Sequence, residues 1–109
     1  MDAMYAIAEP RRRRIVELVA AGGRLTATEI ANNFDVTPQA VSQHLRILID
    51  AGVLKMERQS QQHIYQVNPW AIEEMERWLE HTRMLWNKRL DVLDGLMKAE
   101  KKKSAKKRV

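Results

Sequence analysis

The chain has 109 residues, 45% of them hydrophobic and 30% charged, which suffices for one small core under an ordinary water-facing surface. With no cysteine, it excludes disulfides, zinc–thiolate clusters and thiol nucleophiles. Its formal charge of +5 is unevenly placed: residues 1–97 carry twelve basic side chains against thirteen acidic ones, while residues 98–109 carry seven against Glu100 alone.

The alkaline balance therefore belongs to the tail. A basic tail suits nucleic acid or another anionic surface, but it does not by itself make the body a DNA-binding domain. No run of eighteen apolar residues is present, and Met1-Asp2-Ala3-Met4 does not read as a signal peptide. Four glycines and three prolines leave little loop for an enzyme pocket. The sequence offers no Ser–His–Asp set, no carboxylate pair in a cleft and no phosphate-cradling glycine loop. The expectation is a cytoplasmic binding protein that is not an enzyme and has no membrane association.

In chain order, a short amphipathic segment, 3–8, precedes Glu9-Pro10. Proline at the first helical position starts a second helix with Ile15, Leu18 and Val19 at core spacing, and Gly22-Gly23 stops it. Thr26-Ala27-Thr28-Glu29 has capping-box spacing and opens a short helix with Ile30 and Ala31 inward and Phe34 closing it. Asn33 to Val36 reads as a turn. Thr37-Pro38 caps the next helix, which runs to Gly52. After Gly52, residues 53–58 and 63–67 are β-branched and aromatic runs separated by Gln59-Ser60-Gln61-Gln62, a hairpin with a polar tip. Asn68-Pro69 then caps a long helix expected to end between Met97 and Lys103. The last dozen residues lack an apolar period and read as a solvated, flexible basic tail, residues 98–109, after a domain of residues 1–97, with a frayed helical extension as the alternative.

On a helical wheel, Val41, Leu45, Leu48 and Gly52 share one sector of the helix that starts at Pro38. Gln39, Gln43, Arg46 and Asp50 lie opposite, with Ser42 on the shoulder. Two amides, a hydroxyl and a guanidinium on one face can hydrogen-bond base edges and phosphates, although a plain solvated face has the same pattern. Two helices joined by a tight turn and followed by a polar-tipped hairpin give the element order of a winged helix-turn-helix, mainly α with a small β-hairpin.

The residues carrying that order, Thr26-Glu29-Ile30-Ala31, Val41-Ser42-Gln43-His44-Leu45-Arg46-Ile47-Leu48, Ala51-Gly52-Val53-Leu54 and Ile64-Tyr65, resemble the ArsR family of bacterial repressors. Glu9-Pro10 with Arg12 and Ile15 is similar to the family's opening of the second helix, and the resemblance spans residues 3–97. It implies a homodimer that binds a pseudo-palindromic double-stranded DNA operator through the helix beginning at Pro38. Gln39, Ser42, Gln43 and Arg46 are then the positions facing the major groove, and Thr37 is a further candidate DNA contact. Arg58, Gln61 and His63 of the wing would reach the neighbouring backbone or minor groove. One departure is the tip, where the family often carries glycine and arginine.

The family pattern places a packing histidine at His44 without a metal. Many relatives bind metal through cysteines in the segment equivalent to Leu25–Asn33, or through histidine–carboxylate pairs on the last helix. This chain has no thiol, and that helix offers His81 alone. A cysteine-free, non-metal-sensing subgroup is implied, with no cofactor. The run Trp86-Asn87-Lys88-Arg89-Leu90-Asp91 with Leu93 is similar to that subgroup, which implies autorepression without naming an effector.

Four positive charges at Arg11 to Arg14 oppose the helix macrodipole. Something acidic should lie opposite, either phosphates, the glutamate-rich start of the last helix or a salt-bridged interface. On that last helix, Ile72, Met75, Leu79, Trp86, Leu90, Leu93 and Met97 fall within about 60° of one another. Trp78, Leu85, Val92 and Leu96 form a second strip, roughly 120–160° round from Ile72. A helix docking on one domain needs about 100° of apolar face, so the surplus implies a second copy of the same helix. Trp70, Trp78 and Trp86 line either that interface or a ligand cavity. The rival to a dimeric DNA-binding repressor is a winged-helix module that binds protein and does not read DNA.

Overall fold

Residues chosen to satisfy free backbone groups set the element boundaries. In the computed structural model, which describes the backbone of residues 2–108 and the side chains of residues 2–99, α1 (Ala3–Ala8) is capped by Asp2, whose carboxylate accepts from Met4 N. Glu9 caps α2 (Pro10–Gly22), with Pro10 at its start, where the missing N–H costs nothing. Gly23 ends α2 at φ 82°, a conformation that side chains with a Cβ rarely adopt. The capping box is complete: Glu29 N donates to Thr26 Oγ1 at 3.2 Å, and Thr26 N donates to Glu29 Oε1 at 3.1 Å. It opens α3 (Ala27–Ala31). The turn then delivers Thr37, whose hydroxyl accepts from Ala40 N and caps α4 (Pro38–Asp50). Gly52, at φ 77°, releases the chain from α4.

The wing is tighter than the sequence suggests. Strands β2 (Leu54–Gln59) and β3 (Gln62–Val67) pair antiparallel through Gln59↔Gln62, so only Ser60 and Gln61 remain in the turn. Ser60 takes φ 59° to close it. The sheet has a third strand that no sequence period announces. Leu25 and Thr26 form β1 and pair with Tyr65 and Ile64, giving the sheet order β1-β3-β2.

The core lies where α1, α2, α3 and α4 meet the base of this sheet. Ile15, Val19, Ile30, Val41, Leu45, Leu48, Val53 and Leu54 are all buried. Truncating one of these large side chains, such as Leu45 or Leu48, to alanine costs about 2–5 kcal/mol. The apolar period of α4 is thus satisfied within the domain, which fixes its polar residues outward.

Asn68 joins the hairpin to the last helix. Its N–H donates to Val53 O and its Nδ2 to Gly52 O, both at 2.8 Å, while Oδ1 accepts from Trp70 N at 3.2 Å. It thereby starts α5 (Pro69–Arg108). That helix continues past the expected end between Met97 and Lys103. Side chains 100–109, and with them most of the basic run, lie outside the described residues. By contacts the chain divides into Met1–Met75 and Glu76–Val109. Among the described residues no helix is long and apolar enough to cross a membrane.

Candidate nucleic-acid interface

The buried stripe of α4 leaves Gln39, Ser42, Gln43, Arg46 and Asp50 exposed on the far side. Thr37, Gln39, Ser42 and Gln43 cluster in the first two turns, and Arg46 stands one turn further on. The Thr37 hydroxyl accepts from Ala40 N at 3.2 Å and keeps its own hydrogen for an outside acceptor. The outward face therefore presents amide groups able to donate and accept, flanked by donors suited to phosphate oxygen.

On the wing, Arg58 pairs directly with His63 across the ladder, so both side chains share one face of the hairpin. Gln61 occupies the turn, and all three residues are exposed. Gln61, Gln62 and His63 border an open hollow with Thr26, Ala27 and Thr28, which sets the wing tip beside the start of α3. Glu57, the carboxylate of the wing, meets Arg24 Nη2 at 3.3 Å. The sheet thus brings Arg58, Gln61 and His63 together as one group, distinct from the α4 group.

His44 sits on the shoulder of α4, half-buried, with its Nδ1 3.5 Å from Arg12 Nη1. It packs as the family pattern implies. Arg12 departs from the acid-facing expectation for Arg11 to Arg14: it is buried, and its Nε donates to Ala6 O at 2.6 Å. A carbonyl and an imidazole receive this guanidinium. Tyr5 lies beside it, with the guanidinium carbon 5.7 Å from the ring centre. Its role was not visible in the run of four arginines, since the Ala6 carbonyl is presented only once α1 folds back on α2.

Glu9 lies near the same cluster. Partial burial alone would raise its carboxyl, but the backbone N–H groups of Arg12 and Arg11, with the charges of His44 and Arg12, outweigh this and hold it below its ordinary value. Among the described residues no group of three histidine and carboxylate side chains gathers to hold a metal ion, and His44, His63 and His81 stand on α4, β3 and α5.

The candidate dimer residues divide in two. Ile72 and Met75 are half-buried in the first turns of α5. Leu79, Trp86, Leu90 and Leu93 are exposed by 42–59%, and Trp78, Leu85, Val92 and Leu96 on the second strip by 52–61%.

Residues 7–57 match a family described as a helix-turn-helix domain. The transcriptional repressor SdpR of Bacillus subtilis is 35% identical over 74 residues, covering 68% of this chain and 81% of the repressor. The HTH-type transcriptional regulator Rv2034 of Mycobacterium tuberculosis is 31% identical over 98 residues, covering 90% and 88%. The crystal structure of an ArsR family transcriptional regulator, RHA00566, superposes with a TM-score of 0.71 at 25% identity, covering 78% of this chain and 87% of that one. The chain belongs to the ArsR family. As an ArsR-family protein it is a DNA-binding transcriptional regulator with a winged helix-turn-helix fold and a long C-terminal helix.

Proposed function

We infer that the protein is a cytoplasmic repressor that binds a pseudo-palindromic operator as a homodimer, with α4 in the major groove. The observation that carries this reading is the opposition within α4 between the buried Val41, Leu45 and Leu48 and the exposed Gln39, Ser42, Gln43 and Arg46. Side chains fixed by a core on one side are held ready on the other, as base reading requires. Gln39 and Gln43 would choose bases by pairing with adenine, while Thr37, Ser42 and Arg46 would hold the backbone. Arg58, Gln61 and His63 would add contacts from the wing.

Dimerisation would use Ile72, Met75, Leu79, Trp86, Leu90 and Leu93 on α5. The long row of exposed leucine and tryptophan side chains supports this, since water-facing apolar strips of that length mark interaction surfaces. A two-fold pair of helix-turn-helix units reads half-sites about 34 Å apart. Residues 98–109 would serve as a basic extension that attracts DNA without reading it. Nothing in the chemistry of the chain calls for a cofactor or catalysis. The kinship with transcriptional regulators favours this reading over a module that binds protein alone.

Selection of bound sequences from a random DNA pool tests the proposal. Recovery of an inverted repeat with half-sites one helical turn apart is the expected result. Recovery of no preferred sequence, or of a single unrepeated site, would refute operator binding as a dimer.

A further inference from the structure

Of the four arginines that begin α2, Arg12 is accounted for by Ala6 O and His44. The Glu9 carboxylate is committed to the backbone N–H of Arg12 at 2.9 Å. Arg11 and Arg14 are left on the exposed side of the same helix, and among the described residues neither forms an ion pair. Both line an open hollow of about 440 Å³ together with Pro10, Asn33, Phe34 and Asp35. Its far wall is the turn that joins α3 to α4. The Arg14 guanidinium lies over the Phe34 ring, 5.9 Å from its centre. A half-buried aromatic ring thus lies beneath the guanidinium without taking up its N–H donors as a hydrogen-bond acceptor would. Asp35 borders the hollow without pairing to either arginine. Arg13 is exposed too, but it does not line the hollow.

This hollow ends two residues before Thr37, the cap of α4. In a helix-turn-helix on DNA, the N-terminal residues of the second helix reach base edges, and the first helix, here α3, crosses the phosphate backbone, so the hollow between α2 and the α3–α4 turn borders that crossing. We propose that Arg11 and Arg14, with Asn33 and the Phe34 ring, form a clamp for the DNA phosphate backbone beside each half-site, the two guanidinium charges outweighing the single carboxylate of Asp35; this rests on the DNA-reading role given above to α4. The clamp meets a need the body otherwise leaves open. Residues 1–97 carry a charge balance near zero, so attraction to DNA requires its cations gathered on the DNA side. The planar fork of arginine matches two phosphate oxygens at once, which a diffuse positive field does not require. Such contacts fix register and orientation and carry no sequence information.

The test uses the full chain, the duplex recovered by pool selection and a random duplex of equal length, each titrated with salt. For Arg11→Gln/Arg14→Gln, affinity for both duplexes should fall together, and the slope of log affinity against log salt should become shallower by about 0.9 for each phosphate no longer neutralised. The preferred bases should stay the same. Arg13→Gln, which removes an equal charge outside the hollow, should change the slope far less than either single substitution within it. Arg11→Lys/Arg14→Lys keeps the charge, so it should recover most of the slope even if the glutamine pair disturbs folding. An unaltered slope in the glutamine pair, or an equal change in Arg13→Gln, would overturn the clamp. A wild-type chain that selects no sequence would remove the DNA-reading role, and the clamp with it. One that selects a site while the glutamine pair titrates like wild type would remove the clamp alone.

Discussion

Arg12 Nη1 approaches His44 Nδ1 to 3.5 Å, linking the first turn of α2 to the middle of the helix that carries the DNA-reading face. Because Arg12 Nε also donates to Ala6 O, one buried guanidinium connects α1, α2 and α4. A charge is expensive to bury unless its donors find partners, and here Ala6 O takes the Nε donor while His44 Nδ1 faces Nη1.

Replacing Arg12 by methionine keeps most of the side-chain volume but leaves the Ala6 carbonyl without its buried donor. Loss of about 1–3 kcal/mol is expected, read as a lower urea midpoint at unchanged slope. Lysine should not rescue it, since an ammonium cannot reproduce a planar fork reaching two acceptors. Equal stability of Arg12→Met and wild type would show that the guanidinium is not a structural link.

How much of this was legible in the sequence depended on how local each signal is. The Thr26–Glu29 box, the Thr37 and Asn68 caps and Gly52 past α4 are short-range patterns, and each does in the structure what its spacing predicts. The outward face of α4 follows from a periodicity of apolar residues within one helix. Strand β1 escaped because two residues, Leu25 and Thr26, hold no period of their own and become a strand only by pairing with β3. The burial of Arg12 escaped for the same kind of reason. Four adjacent arginines look alike until the Ala6 carbonyl and His44 select one of them.

Glu9 gives the fold an acid-side dependence. A carboxyl held below its ordinary value stabilises the folded state at pH above its unfolded value, and that stabilisation disappears as pH falls through the folded value. Glu9→Gln should therefore be less stable than wild type near neutral pH, and the difference should close in acid. Urea midpoints measured from roughly pH 7 down to 3 would check this. A difference that stays constant over that range would place the effect in packing rather than charge.

The exposed row on α5 predicts that a charge in its middle disrupts assembly. Leu79→Glu and Leu90→Glu should sediment as monomers while unit Met1–Met75 keeps its fold, because neither residue belongs to that unit. Operator affinity should fall by far more than the removal of one side chain explains, since two half-sites are no longer bound together. A wild type that is already monomeric at micromolar concentration would sink the dimer.

Base choice should rest on Gln43 and Gln39. A bidentate glutamine–adenine pair is worth about 1–3 kcal/mol of discrimination. Gln43→Ala is therefore expected to relax preference at one base pair per half-site, about 5- to 150-fold. Its exposure means that the substitution should leave thermal stability almost unchanged. Uniform weakening across all sequences in competition binding would reassign Gln43 to the backbone.

The basic extension should act on affinity without acting on choice. Six basic residues, Lys101, Lys102, Lys103, Lys106, Lys107 and Arg108, fall within 101–109. The backbone of α5 continues as far as Arg108. The charge of these basic residues is expected to act on phosphates that flank the operator. Each phosphate they neutralise adds about 0.9 to the steepness of the salt dependence. Deleting residues 101–109 is expected to make that slope shallower and to weaken random-sequence binding more than operator binding, because the base-reading side chains of α4 are untouched. An unchanged slope after truncation would assign the run to solubility instead. A change confined to the operator would be harder to reconcile with simple charge, and would point to a sequence-reading role for this part of α5.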